Sequence, residues 1–186
     1  MFSHNYYYFI ASLPYINYGD KPPVSSAEFI EQCKNYLSPG DLSLLRYCIF
    51  DPKIAVETVE RTGSAFIDQF LLWERARILA LASLRAARQK RQFTAEVSHD
   101  MPRAEALAKS VFDMDDPLEA ELSIDRARWG VLDEMLGLDF FGVNRVYVYL
   151  WKLELLERRE RFNAQKGADA YRQLYDNILN NYNSGV

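Results

Sequence analysis

The stretch "SAFIDQFLLWERARILALASLRAARQKRQ", residues 64–92, contains neither proline nor glycine and begins just after Gly63. Nothing in it breaks a helix, and at 1.5 Å per residue it would extend about 43 Å. Between Ala65 and Ala87 the apolar residues leave only narrow polar gaps, so the helix is expected to be enclosed on most sides. It reads as the central post of the fold. A chain arranged around such a post is pushed toward a helical assembly.

The flanking segments agree. In "SSAEFIEQCKNYL" Ser25 stands three residues before Glu28, the spacing of a capping box, and Phe29, Cys33, Tyr36 and Leu37 recur at helical intervals. In "SPGDLSLLRYCIF" Ser38 is placed as a cap and Pro39 at the first helical position. Residues 51–62 read as a short amphipathic connector or helix. "FTAEVSHDMP" is loop-like, and a helix is expected from Pro102. Asp116 and Pro117 open another, which Gly137 is placed to stop. "FFGVNRVYVYLWKLELLERRERFNAQKG" reads as the second long helix, ending at Gly167, and "ADAYRQLYDNILNNY" as the last. Only "YYYFIA" and "RVYVYLW" are rich in strand formers. The expected class is therefore all-α: a multi-helix bundle with two long helices. It would form one helical domain over residues 1–186, any division into two lobes falling near 93–101. "LLWERARILALASLRAARQK" and "YLWKLELLERRERFNAQK" share a Leu-Trp entry, too loosely to count as a repeat.

The start of the chain, "HNYYYFIASLPYINYGDKPPVSS", poses a separate question. No Lys or Arg precedes Lys21, and the apolar run 6–13 is interrupted by Ser12 and stopped by Pro14, so a secretory signal is not expected. No run approaches the roughly 20 apolar residues of a membrane span. Tyrosine joins an apolar body to a polar tip. An extended tyrosine-rich segment docked on the helices is the expected form, and a cytoplasmic location follows. Cys33 and Cys48 fall in apolar-periodic segments and are expected as buried free thiols.

The net charge of −4 conceals an uneven distribution. Residues 75–91 carry Arg75, Arg77, Arg85, Arg88, Lys90 and Arg91 with no acid, whereas residues 113–139 carry nine acids against Arg126 and Arg128. Two explanations compete: the arginine heads pair with the acidic segment inside the fold, or both surfaces face partners. Arg75, Arg77, Arg85, Arg88, Arg91, Asp113, Asp115 and Asp116 are the candidate partner-binding residues. Nucleic acid is disfavoured, because no aromatic side chain is interleaved with the cations to stack bases.

Chemistry is sparsely signalled. There is no Walker loop and no GxGxxG. His4 and His99 are the only histidines; His99-Asp100 lacks the further ligands a metal site needs. "DMDDPLEAE" has a proline and no glycine where a calcium loop needs the reverse, and reads as a helix start. No catalytic residue, metal or cofactor is expected. An enzyme built on His99, Asp100 and nearby carboxylates is the weakest alternative.

"YYYFIASLP", "LWERARILALASLRAARQ" and "YVYLWKLELLERRERF" resemble an uncharacterised bacterial family with a tyrosine-rich start, encoded among the subunits of V/A-type ATPases. The resemblance implies the place of the C/d-type adaptor, an all-helical part that sits on the membrane rotor ring and receives the central stalk. In that adaptor a Trp precedes an Arg-Ala-Arg-like run, and Trp73 with "LRAAR" at 84–88 is similar in kind. The C/d-type adaptor has three repeats and is longer, so this chain would supply part of such a funnel. The resemblance thus implies a non-catalytic coupling subunit, peripheral at the inner membrane through the ATPase. The alternative is a free-standing helical interaction protein or assembly factor.

Overall fold

The computed structural model describes residues 6–57, 61–95 and 101–161. Those residues form eight α-helices and one 3-10 turn, with no strand among them. In chain order they are α1 (Tyr7–Ser12), α2 (Ser26–Cys33), α3 (Pro39–Leu44), the 3-10 turn (Leu45–Tyr47), α4 (Pro52–Glu57), α5 (Ala65–Arg88), α6 (Pro102–Phe112), α7 (Pro117–Leu136) and α8 (Val143–Arg161). The protein is all-α. The closing helix expected after Gly167, His4, and the pair His99-Asp100 lie outside the described residues.

Local chemistry sets the helix starts. Ser25 and Glu28 form the reciprocal capping box of α2. Ser38 caps α3 through Asp41 N–H, with Pro39 at the first position. Asp116 accepts from Leu118 N–H at the head of α7. Each such cap contributes about 1 kcal/mol. Helix α7 ends at Gly137, whose φ of +52° and ψ of −119° no side-chain-bearing residue holds comfortably.

Helix α5 stops at Arg88, four residues short of the expected end. Lys90 takes a left-handed φ of 54°. Arg91 N–H then donates to Ala86 O (2.9 Å) and Lys90 N–H to Ala87 O (3.1 Å). This is a Schellman ending with lysine where glycine is usual.

The central post is α8, not α5. From Val146 to Leu153 every residue of α8 is buried, as are Leu155 and Leu156. On α5 burial ends at Leu81, and Leu72 is exposed midway. Aromatic rings tie the two helices together: Phe70 lies 4.5 Å from the Trp151 ring and 5.9 Å from Trp73. Both tryptophans are core anchors, and fully burying a side chain such as Phe70 stabilises by roughly 1.5–3 kcal/mol. Ala80, Leu81, Ala108, Val111 and Ile124 form a smaller cluster between α5, α6 and α7. Cys33 and Cys48 are buried and unbridged.

The tyrosine-rich start is docked, but it is not extended throughout: residues 7–12 are helical. The tyrosines point apart. Tyr6 is buried, whereas Tyr7 and Tyr8 are exposed. Tyr6 Oη donates to Asp41 Oδ2 (2.6 Å) and accepts from Ser38 N–H (3.1 Å), while Tyr6 N–H donates to Phe141 O (3.1 Å). Its hydroxyl is thus satisfied while its ring is removed from water, which gives the segment its hold.

Candidate functional site

The segregated charges do not pair with each other inside the fold, although the first of the two explanations requires it. Among the described residues no ion pair joins the cations of residues 75–91 to the acids of 113–139. Instead Glu74 of α5 receives Arg128 of α7, one of only two cations in the acidic segment. Arg128 Nε lies 2.7 Å from Glu74 Oε1, its second nitrogen 3.1 Å from Glu74 Oε2, and its third 2.7 Å from Asp125 Oδ1. Arg77 adds a bond to Glu74 Oε2 at 2.6 Å. Arg158 of α8 closes the chain of charges, with Nε 3.3 Å from Asp125 Oδ2 and a second nitrogen 2.5 Å from Glu121. Glu74, Arg77, Asp125 and Arg128 are all buried.

The electrostatics follow from this geometry. Burial disfavours the Glu74 carboxylate, but Arg128 and Arg77 outweigh it and hold its pKa below the ordinary carboxylate value. For Asp125 burial wins over Arg128 and Arg158, and its pKa rises. Arg128 loses from burial and gains more from Glu74 and Asp125, so its charge is strengthened. Its guanidinium also stands 4.5 Å from the Phe50 ring centroid. With every guanidinium nitrogen of Arg128 engaged, this cluster cross-links three helices.

A sequence signal for the cluster exists. "ERAR" at 74–77 and "DRAR" at 125–128 are the same four-residue pattern. In each, the acid and the last arginine share one helix face and are buried, while the first arginine is less enclosed: Arg75 is half-buried and Arg126 exposed.

Of the candidate partner-binding residues, Arg77 is thereby withdrawn from the surface. Arg75 is half-buried. Arg85, Arg88 and Arg91 are exposed, as are Asp113, Asp115 and Asp116, Asp116 being spent on its cap. Arg85 and Arg88 border a groove of about 490 Å³, walled by Val111, Phe112 and Met114 and by Pro117 and Ala120 at the head of α7. Arg88 lies over the Phe112 ring at 5.5 Å. The basic end of α5 and the turn between α6 and α7 thus border one groove, and no ion pair joins Arg85 or Arg88 to Asp113, Asp115 or Asp116.

A second surface lies beyond the other end of α7. Leu138, Phe140 and Phe141 of the 137–142 loop are exposed together with Tyr7 and Tyr8 of α1. The Tyr7 ring lies tilted against Phe141, centroids 4.7 Å apart, and edge-to-face with Tyr8 at 5.4 Å. Asp139 shapes the loop by accepting from Gly142 N–H (2.8 Å) and Asn144 Nδ2 (3.0 Å). Exposed aromatic clusters of this kind mark recognition surfaces. From the sequence alone the tyrosines of this patch were expected only as docking groups.

Among the described residues no group of His, Cys, Asp and Glu is placed to hold a metal ion, and no helix is long and apolar enough to cross a membrane.

Residues 86–182, just over half of the chain, match the family model described as a protein of unknown function, DUF2764. The chain belongs to that family. The DUF2764 match takes in α6, α7 and α8, and with them the groove except Arg85, the 137–142 loop and half of the buried charge cluster; the tyrosine-rich start lies before it. No match was found among curated proteins or among solved structures.

Proposed function

We propose that the chain is a non-catalytic adaptor of a V/A-type ATPase, similar in role to the C/d-type adaptor, joining the central stalk to the membrane rotor ring. One observation carries this reading. The two surfaces suited to recognition, the basic groove and the aromatic patch, stand at opposite ends of α7, whose length is about 30 Å. A coupling part needs two separate contacts and a stiff body between them. Helices α5, α7 and α8, cross-linked by the Glu74–Arg128–Asp125–Arg158 charges, supply such a body.

In this reading the exposed cations Arg85, Arg88 and Arg91 attract an acidic face of one partner. Such rim charges act mainly on association rate and on salt dependence. The rings of Tyr7, Tyr8, Phe140 and Phe141 would anchor the other. The test is separation of the two contacts. A tagged chain at its native level is recovered from cells with the double variant Arg85→Glu/Arg88→Glu or with Phe140→Ser. The two variants are expected to lose different ATPase subunits while both stay folded. Recovery of the same subunits with both variants as with the unaltered chain, or recovery of none with any of the three, rejects the proposal.

A further inference from the structure

A cleft of about 330 Å³ opens between α7, α8 and residues 10–18, apart from both surfaces assigned above. Helix α8 presents Arg145, Val148, Tyr149 and Lys152 to it, at intervals of three, four and seven residues along one face. Helix α7 contributes Trp129 and Asp133, again one turn apart. The third wall is the stretch after α1, pinned where Tyr149 Oη donates to Pro14 O at 3.0 Å. The volume falls at the lower end of the range for small-molecule sites, and the walls combine apolar and aromatic side chains with a comparable share of polar groups.

The charges in this cleft do not cancel. Lys152 Nζ is held by Asp133 Oδ1 at 2.5 Å and lies 4.3 Å from the Trp129 ring centroid, so its charge is answered. Arg145 is half-buried, and its guanidinium forms no hydrogen bond or ion pair with any described residue. Burial lowers the pKa of Lys152, Asp133 opposes the fall, and the field of Arg145 adds to it. Two cations thus share a partly desolvated cleft with one carboxylate, and the excess is a single positive charge. An anion brought against Arg145 would relieve that repulsion.

We propose that this cleft binds a small monocarboxylate with an aromatic body, the carboxylate paired to Arg145 and the ring lying against Trp129. A guanidinium fork matches the two oxygens of a carboxylate, which a point charge does not. The single excess charge favours a monoanion over a phosphate dianion. The inference stands apart from the ATPase assignment, since it uses neither the groove nor the aromatic patch.

The full chain is titrated calorimetrically with 3-phenylpropionate, its uncharged amide and inorganic phosphate, and the series is repeated on Arg145→Gln and Arg145→Lys. Saturable binding of one carboxylate per chain is expected, at the millimolar or sub-millimolar level usual for so small a ligand. The amide and phosphate should bind at least about tenfold more weakly, from loss of a charged hydrogen-bonded pair. Arg145→Gln should lower carboxylate affinity about as much and abolish the preference over the amide, whereas Arg145→Lys keeps part of it. Because Arg145 is only half-buried, both variants should retain the unaltered helical circular dichroism and melting temperature. The proposal is overturned by absence of saturable carboxylate binding, by equal binding of the amide or phosphate, or by an Arg145→Gln chain that binds as well as the original.

Discussion

Substituting Glu74→Gln removes one charge at the centre of the buried cluster while keeping its shape. The carboxylate takes three bonds, from Arg77 at 2.6 Å and from Arg128 at 2.7 and 3.1 Å, and is 4% exposed. The glutamine amide would turn a donor toward guanidinium donors, leave Arg77 without a carboxylate partner among the described residues and leave Arg128 with Asp125 alone. Breaking a buried ion cluster by deleting one partner costs about 3–5 kcal/mol. Set against a whole-domain stability of about 5–15 kcal/mol, this is a large fraction. At about 2–4 °C per kcal/mol for a chain of this length, the melting temperature should fall by about 6–20 °C. The exposed pair Arg103–Glu134, also at 2.6 Å, is the control: Glu134→Gln should cost less than about 1 kcal/mol. Circular dichroism at 222 nm, followed through heating and urea, reads both. The pH dependence gives an independent check. The pKa of Glu74 is lowered from 4.5, so its contribution is complete above that value. Below it the unfolded chain takes up protons first, and the contribution is lost as pH falls through the native pKa. The gap between the unaltered chain and Glu74→Gln should therefore be constant near neutrality and close in acid. A Glu74→Gln chain that melts within about 2 °C of the original, or no lower than Glu134→Gln, would refute the cross-linking argument.

Three other outcomes are expected. The thiol of Cys33 is pushed up by burial to about 12 and that of Cys48 well above its ordinary value, so neither is a thiolate at neutral pH. Ellman's reagent should label both only at the rate of unfolding, and fast labelling of the native chain would contradict their placement. A Cβ at position 142 would run into the Asp139 carboxylate, so Gly142→Ala must displace the group that holds the 137–142 loop. It should cost about 1–3 kcal/mol in urea unfolding and speed hydrogen exchange at Asn144, and an unchanged exchange rate would show the turn to be unimportant. Finally, Arg85→Glu/Arg88→Glu should leave the unfolding free energy from urea titration within about 0.5 kcal/mol of the original, because neither side chain is buried or ion-paired. A larger loss would mean that these arginines serve the fold.

What was legible in the sequence was the chemistry of near neighbours. Ser25 with Glu28, Ser38 with Pro39, and Asp116 with Pro117 declare helix starts because cap and capped group lie within three residues. The end of α5 was not legible, because Lys90 takes the left-handed position that glycine usually announces. Nor was the dominance of α8. Its buried Tyr147, Tyr149 and Lys152 look half-polar in one dimension, and each is satisfied by a group on another segment: Asp41, Pro14 and Asp133. The same holds for the charges. The pairs Glu74–Arg77 and Asp125–Arg128 are local and legible in their three-residue spacing. The bond from Arg128 to Glu74 spans 54 positions, and only packing of α7 near α5 creates it. Exposure of Arg85, Arg88 and Arg91 was foreseeable from the end of a basic helix, while the aromatic patch, assembled from α1 and a loop more than 125 residues on, was not.

The proposed place of the chain as a recognised scaffold within a V/A-type ATPase is tested most directly by the composition of the intact complex. The ATPase is purified from native membranes through a tagged component of the central stalk, and each polypeptide is counted by quantitative mass spectrometry. A copy number of this chain equal to that of the central stalk is predicted. Intact, active ATPase holding no copy of it, with the chain recovered elsewhere, would contradict the account.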